Sequence, residues 1–140
     1  MITMNLKNIP FAEMIKLAQA DEGYTFALNN EVAYTNHLGT VAAAAQFSLA
    51  EFTSGQWLLD TFPDLAQQAI PMLRKSSVKF KTPGKGRVRA KVQMSDTTAA
   101  AVRKQLTEKK RALCEIEVVV VDDQDQITMA GNFEWFIALN

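Results

Sequence analysis

The chain has 140 residues, 48% of them hydrophobic, with 15 acidic and 15 basic side chains, one cysteine and one histidine. That length suits one domain, 1–140, and that hydrophobic share supports a packed core rather than disorder. Balanced charge gives no general pull on nucleic acid or an anionic membrane. One cysteine excludes an internal disulfide or a cysteine zinc cluster, and one histidine excludes a histidine metal cluster.

The start, MITMNLKNIPFAEMIKLAQADEG, lacks the basic, apolar and small-residue order of a secretory signal. No apolar run reaches the roughly 18–20 residues of a membrane span, so a cytoplasmic chain is expected. Residues 1–22 form the predicted N-terminal helical segment: Pro10 opens it, Phe11, Met14, Ile15 and Ala18 recur at helical spacing, and Gly23 stops it. YTFALNNEVAYTN predicts one or two short strands around a turn at Asn29 and Asn30. A long apolar helix over 40–62 follows, with Thr40 as N-cap and Pro63 as breaker. DLAQQAI predicts a short helix. LRKSSVKFKT and RVRAKVQM, joined by PGKG, predict a hairpin. SDTTAAAVRKQLTEKK predicts a helix capped by Ser95 or Asp96. ALCEIEVVVVDD and ITMAGNFEWFIALN predict two long strands joined by a polar turn at 122–126.

This order predicts an α+β fold, an antiparallel sheet with the long helix on one face. Ala42, Ala43, Ala44, Ala45, Ala50 and Gly55 remove bulk from that helix and let a sheet wrap it closely. Gly131 predicts a bulge or a close backbone approach in the last strand.

One carboxylate, Glu51, is the only charged side chain between Thr40 and Leu59. A buried carboxyl must be paired, hydrogen-bonded or protonated, and such a site suits a base or nucleophile. The structural alternative is a carboxylate leaving the core at a dimer rim, or paired with a cation. Ala44, Phe47, Ser48, Ser54 and Gly55 share or border its face. Backbone N–H groups at Gly39, Thr40 and Val41 could hold the oxygen of a polarised carbonyl. Together they suit hydrolysis of an acyl group.

The stretch NHLGTVAAAAQFSLAEFTSG, residues 36–55, resembles the start of the central helix in hotdog-fold acyl-CoA thioesterases, especially the phenylacetyl-CoA thioesterase type and its relatives. Asn36, Gly39, Thr40 and the Leu49, Ala50, Glu51 run carry the resemblance, and SSVKFKTPGKGRVRAKVQM resembles that family's strand, turn and strand. The order of elements also matches, from about Tyr24 to Leu139. The resemblance implies a curved antiparallel sheet wrapped around the central helix. It also implies a homodimer, or a dimer of dimers, with sites at the interface. The reaction implied is hydrolysis of an acyl-CoA thioester, with CoA as part of the substrate and no other cofactor. Glu51 would be base or nucleophile, Gly39, Thr40 and Val41 would hold the thioester oxygen, and Asn36 would orient water or substrate. Lys79, Lys81 and Lys85 would meet the CoA phosphates.

Where many such proteins have His, this chain has Ala42. The departure keeps a second reading open, a non-catalytic acyl-CoA-binding hotdog protein. A dehydratase or hydratase is the third, and fits less well because those enzymes use a His paired with an acid. His37, beside the proposed site, reads either as a site residue or as a structural hydrogen-bonder. Cys114 alternates with Ala112 and Ile116 and reads as core. The cations of residues 74–89 read either as a solvated strand face or as CoA contacts. PGKG lacks the spacing of a phosphate-cradling loop. Trp57, Trp135, Phe47, Phe52 and Phe133 read as core or dimer interface.

Overall fold

A computed structural model of the chain describes residues 5–21, 23–65, 67–94 and 96–140. Six strands form one sheet: β1 Ala18–Gln19, β2 Phe26–Leu28, β3 Ala69–Phe80, β4 Val88–Val92, β5 Arg111–Val121 and β6 Ile127–Leu139. Their spatial order is β1-β2-β4-β5-β6-β3, and every neighbouring pair is antiparallel. The helices are α1 Pro10–Met14, α2 Ala43–Thr61 and α3 Asp96–Lys109. α2 packs across β2, β4, β5 and β6 on one face of the sheet, and α3 leans on β5 and β6.

The core lies between α2 and that face. Ala112, Cys114, Ile116, Val118 and Val120 alternate inward from β5, and Phe133 and Ile137 do so from β6. α2 answers with Leu49, Ala50, Thr53 and Leu58. The small-residue expectation holds at Ala50 and Gly55, which are buried, but Ala43 and Ala44, in the first turn of the helix, are exposed. Cys114 is buried core, and burial pushes its thiol up to about 11.

Several local expectations are corrected. The N-terminal segment of residues 1–22 is helical only at Leu6–Asn8, a 3-10 turn, and Pro10–Met14; residues 1–4 and 22 lie outside the described residues. Helix geometry is lost at Lys16, whose φ of 57° is left-handed, well before Gly23. After β2 the second expected strand is instead a 3-10 turn, Val32–Tyr34. The central helix begins at Ala43 rather than Thr40, because the Thr40 hydroxyl and N–H are both bonded to Asn36. DLAQQAI is not helical where it is described: it runs through turns directly into β3. The Ser95 cap lies outside the described residues, and Asp96 begins α3.

The expected hairpin of 73–82 with 87–94 does not form. β3 pairs with β6 along its whole length, while β4 lies between β2 and β5. The PGKG segment crosses the molecule because the Gly84 carbonyl accepts from the Val41 N–H at 2.9 Å, tying it to the loop before α2. Gly131 sits opposite Val78 without a bulge. It marks the close approach: a Cβ there would lie 2.5 Å from Val78 Cγ1 and 2.7 Å from the Ser77 carbonyl oxygen.

Candidate functional site

Glu51 projects from the middle of α2, half-buried, and its carboxylate has no hydrogen-bond or ion-pair partner among the described residues. Burial alone raises its carboxyl pKa above the ordinary value. Ala44, Ser48, Glu51 and Gly55 follow each other along one side of the helix at three- and four-residue spacing. Glu51 opens into an apolar cleft of about 410 Å³. Leu6 and Ile9 roof it, and Gly55, Leu59, Pro71 and Trp135 form walls.

The cleft is tied together through α2. The Trp135 indole N–H donates to Ser54 Oγ at 2.9 Å, and that hydroxyl donates to the Glu51 carbonyl oxygen at 2.7 Å. The Leu6 N–H donates to Gln56 Oε1 at 2.8 Å, fastening the N-terminal segment over the opening. Consecutive residues 54, 55 and 56 therefore hold the wall, the gap and the roof.

The loop before α2 forms a second cleft of about 260 Å³, bordered by Asn36, Thr40, Val41, Ala43, Gln46 and Lys81 among others. Asn36 organises it: its carbonyl oxygen accepts from the N–H groups of Leu38 and Thr40 and from the Thr40 hydroxyl, and its amide donates to Thr40 Oγ1. Gln46 and Thr128 form a buried pair beneath it at 2.6 Å.

The expected oxygen-holding N–H groups of Gly39, Thr40 and Val41 are all engaged, donating to Asn36 backbone, Asn36 side chain and Gly84 respectively. Among the described residues, the donors left without a partner at the helix start are those of Ala43, Ala44 and Ala45; Ala42 donates to the Tyr34 carbonyl and Gln46 to Ala42. These alanine donors were hidden from sequence reasoning because the start of α2 moved three residues. His37 is exposed and borders neither cleft. Of the three lysines, Lys81 borders the Asn36 cleft, Lys79 stands on the exposed strand β3, and Lys85 is exposed in the crossing loop. Sequence reasoning also missed Leu6, Ile9 and Pro71 as cleft residues, since nothing local to them signals a shared wall.

Within one chain, then, Glu51 and the Asn36 loop face different clefts. Ala44 and Glu51 are seven residues apart on α2, about 10 Å along the axis. No group of His, Cys, Asp and Glu capable of holding a metal ion occurs among the described residues. No helix among them is long and apolar enough to cross a membrane.

A family model described as a domain of unknown function (DUF4442) matches residues 14–137. No curated protein sequence matches the chain. Among solved structures, a Pseudomonas aeruginosa protein of unknown function described as a probable thioesterase superposes with a TM-score of 0.81 at 21% identity, covering 97% of this chain and 91% of that one. A Bacillus halodurans protein solved with CoA gives 0.68 at 18% identity, covering 91% and 74%. A thioesterase enzyme from Staphylococcus aureus, in a glutamine-to-alanine variant, gives 0.62 at 14% identity, covering 91% and 98%. With the curved antiparallel sheet and the central helix, these likenesses identify the hotdog fold.

Proposed function

The chain belongs to the DUF4442 family over residues 14–137, and on that premise, with the hotdog fold and the setting of Glu51, we propose that it hydrolyses acyl-CoA thioesters. The observation that carries the reading is a half-buried carboxylate without a partner among the described residues, at the mouth of an apolar cleft. Desolvation makes Glu51 a stronger base than a surface carboxylate, and the cleft accepts the acyl chain while the thioester carbonyl stays at its mouth. Glu51 either draws a proton from water or attacks the carbonyl itself.

The carbonyl oxygen needs donors where charge develops. The open N–H groups of Ala43, Ala44 and Ala45 suit this, but they lie too far along α2 to serve the same carbonyl as their own Glu51. A homodimer resolves the distance by setting the helix start of one copy against Glu51 of the other. The free edge of β3, twelve residues long with Ile70 and Met72 exposed, supports such pairing. Two dimers joining as a tetramer is the extension of the same reading. Asn36 then acts by shaping the loop that meets substrate, with His37 at its rim. Lys81, supported by Lys79 and Lys85, offers cations to the CoA phosphates. The Bacillus halodurans relative solved with CoA supports a CoA ester as ligand. The reaction needs no cofactor beyond the CoA of the substrate.

The test is thioester hydrolysis by the purified chain across short, medium, long and aromatic acyl-CoAs, beside Glu51→Ala. Turnover that falls by at least about a hundredfold in the variant upholds the assignment. Full activity in Glu51→Ala overturns it. The second reading, a non-catalytic acyl-CoA binder, draws on the engaged N–H groups of Gly39, Thr40 and Val41, together with Ala42 at the position where the resemblance to hotdog thioesterases leads one to expect His. It requires binding without turnover, whatever residue stands at position 51.

A further inference from the structure

The cleft under Glu51 follows the helix. Glu51, Gly55 and Leu59 succeed one another on one side of α2 and line it over about 12 Å. Beyond Leu59 it adjoins a small apolar void of about 30 Å³ that shares Leu59, Ala69 and Pro71 and is bounded by Leu65 and Leu106. Among the described lining residues only Glu51 offers a free polar side chain, since the Trp135 N–H is spent on Ser54. The narrowest control is at Gly55. A Cβ there would lie 3.0 Å from Leu6 Cδ1 and 3.3 Å from Trp135 Cζ2 and Cη2, so a single methyl group would press on both and move the roof and the wall.

We infer that this cleft selects an unbranched, unfunctionalised hydrocarbon acyl chain of about ten carbons, laid along α2 from Glu51 towards Leu59, with Gly55 as the specificity-determining residue. The inference rests on the thioester reading of Glu51 and names its substrate class. An acyl group carrying a hydroxyl or amine beyond the carbonyl would be desolvated without a partner. An aromatic ring one methylene from the carbonyl would occupy only about the first half of the path. The aperture is stiff because its two sides are fastened to the residues on either side of Gly55: Ser54 holds Trp135, and Gln56 holds Leu6. A glycine between two tethering residues lets Leu6 and Trp135 pack close to α2, and any side chain there would push them out of place and reshape the cleft.

Affinities of acetyl-, hexanoyl-, decanoyl-, palmitoyl- and phenylacetyl-CoA for the full chain, by calorimetry and tryptophan fluorescence, test this. Decanoyl-CoA should bind at least about tenfold tighter than hexanoyl-CoA, since each buried methylene adds to affinity. Gly55→Ala should lower the decanoyl-to-acetyl affinity ratio about tenfold. It should fold, because alanine is the better helix former. Leu6→Ala trims the roof instead and should shift the optimum towards palmitoyl-CoA, a result that does not depend on the glycine variant. Affinity that is flat with chain length, an unchanged ratio in Gly55→Ala, or tighter phenylacetyl-CoA than decanoyl-CoA overturns the inference. Chain-length-dependent binding without turnover would remove the hydrolase reading and leave the inference standing. Turnover lost in Glu51→Ala but indifferent to chain length would do the reverse.

Discussion

Gly131→Ala tests whether the sheet depends on the close approach of β3 to β6. The added Cβ would lie 2.5 Å from Val78 Cγ1, 2.7 Å from the Ser77 carbonyl oxygen and 2.9 Å from Val78 Cα. Two of the three atoms are backbone, so rotating Val78 relieves only part of the overlap, and β3 must shift away from β6. Overpacking of this kind costs about 1–3 kcal/mol. Replacing glycine returns roughly 0.4–1 kcal/mol by restricting the unfolded chain. The net destabilisation is about 1–2 kcal/mol, a fall in Tm of about 3–6 °C for a domain of this size. Thermal unfolding by circular dichroism at matched protein concentration reads it, since assembly would make Tm depend on concentration. Val78→Ala and the double variant complete the cycle: removing Cγ1 should recover part of the loss, while the Ser77 carbonyl keeps the rest. A Gly131→Ala protein as stable as the parent, or a cycle without coupling to Val78, would refute the packing argument.

Two other substitutions probe the site. Ser54→Ala strips the acceptor from the Trp135 indole N–H inside the protein and should cost about 1–3 kcal/mol, with a shift in tryptophan emission; an unchanged Tm and spectrum would show that the hydroxyl is dispensable. Burial raises the Glu51 pKa, so its contribution to stability is full below the unfolded value of about 4.3 and is lost as pH rises through the folded value. Glu51→Gln should therefore melt higher than the parent at pH 7, with the gap closing near pH 4. A lower Tm for the variant at pH 7 would mean that the carboxylate has a stabilising partner.

Legibility differed by the range of the interactions. The long strands and α3 could be read because their patterns are local: β5 alternates from Ala112 to Val120, and the polar turn at 122–126 is closed by Asp122 accepting from Gln124 and Gln126. The half-buried setting of Glu51 on α2 was legible because it is the one charge in an otherwise uncharged helical stretch. The pairing of β3 was not, because PGKG looks like a hairpin turn until Val41, far away in sequence, takes the Gly84 carbonyl. The start of α2 was misread for a similar reason: Thr40 has the chemistry of a cap, but Asn36 claims it first. The cleft wall that joins Leu6, Gly55 and Trp135 comes from three separated segments and leaves no pattern in any one of them.

The placement of β3 also constrains the order in which the chain can fold. Its only partner among the described strands, β6, follows β4, α3 and β5 in sequence. On the ribosome, β3 is complete while the strand that will cover its backbone has not been made, and chain growth of roughly 5–20 residues per second leaves it waiting for seconds. During that interval Ile70, Met72 and Phe80 are displayed on an extended segment with both edges open. Lys75 and Lys79, charged residues in the same segment, are then the chain's own guard against sticking to a neighbour emerging from the same message.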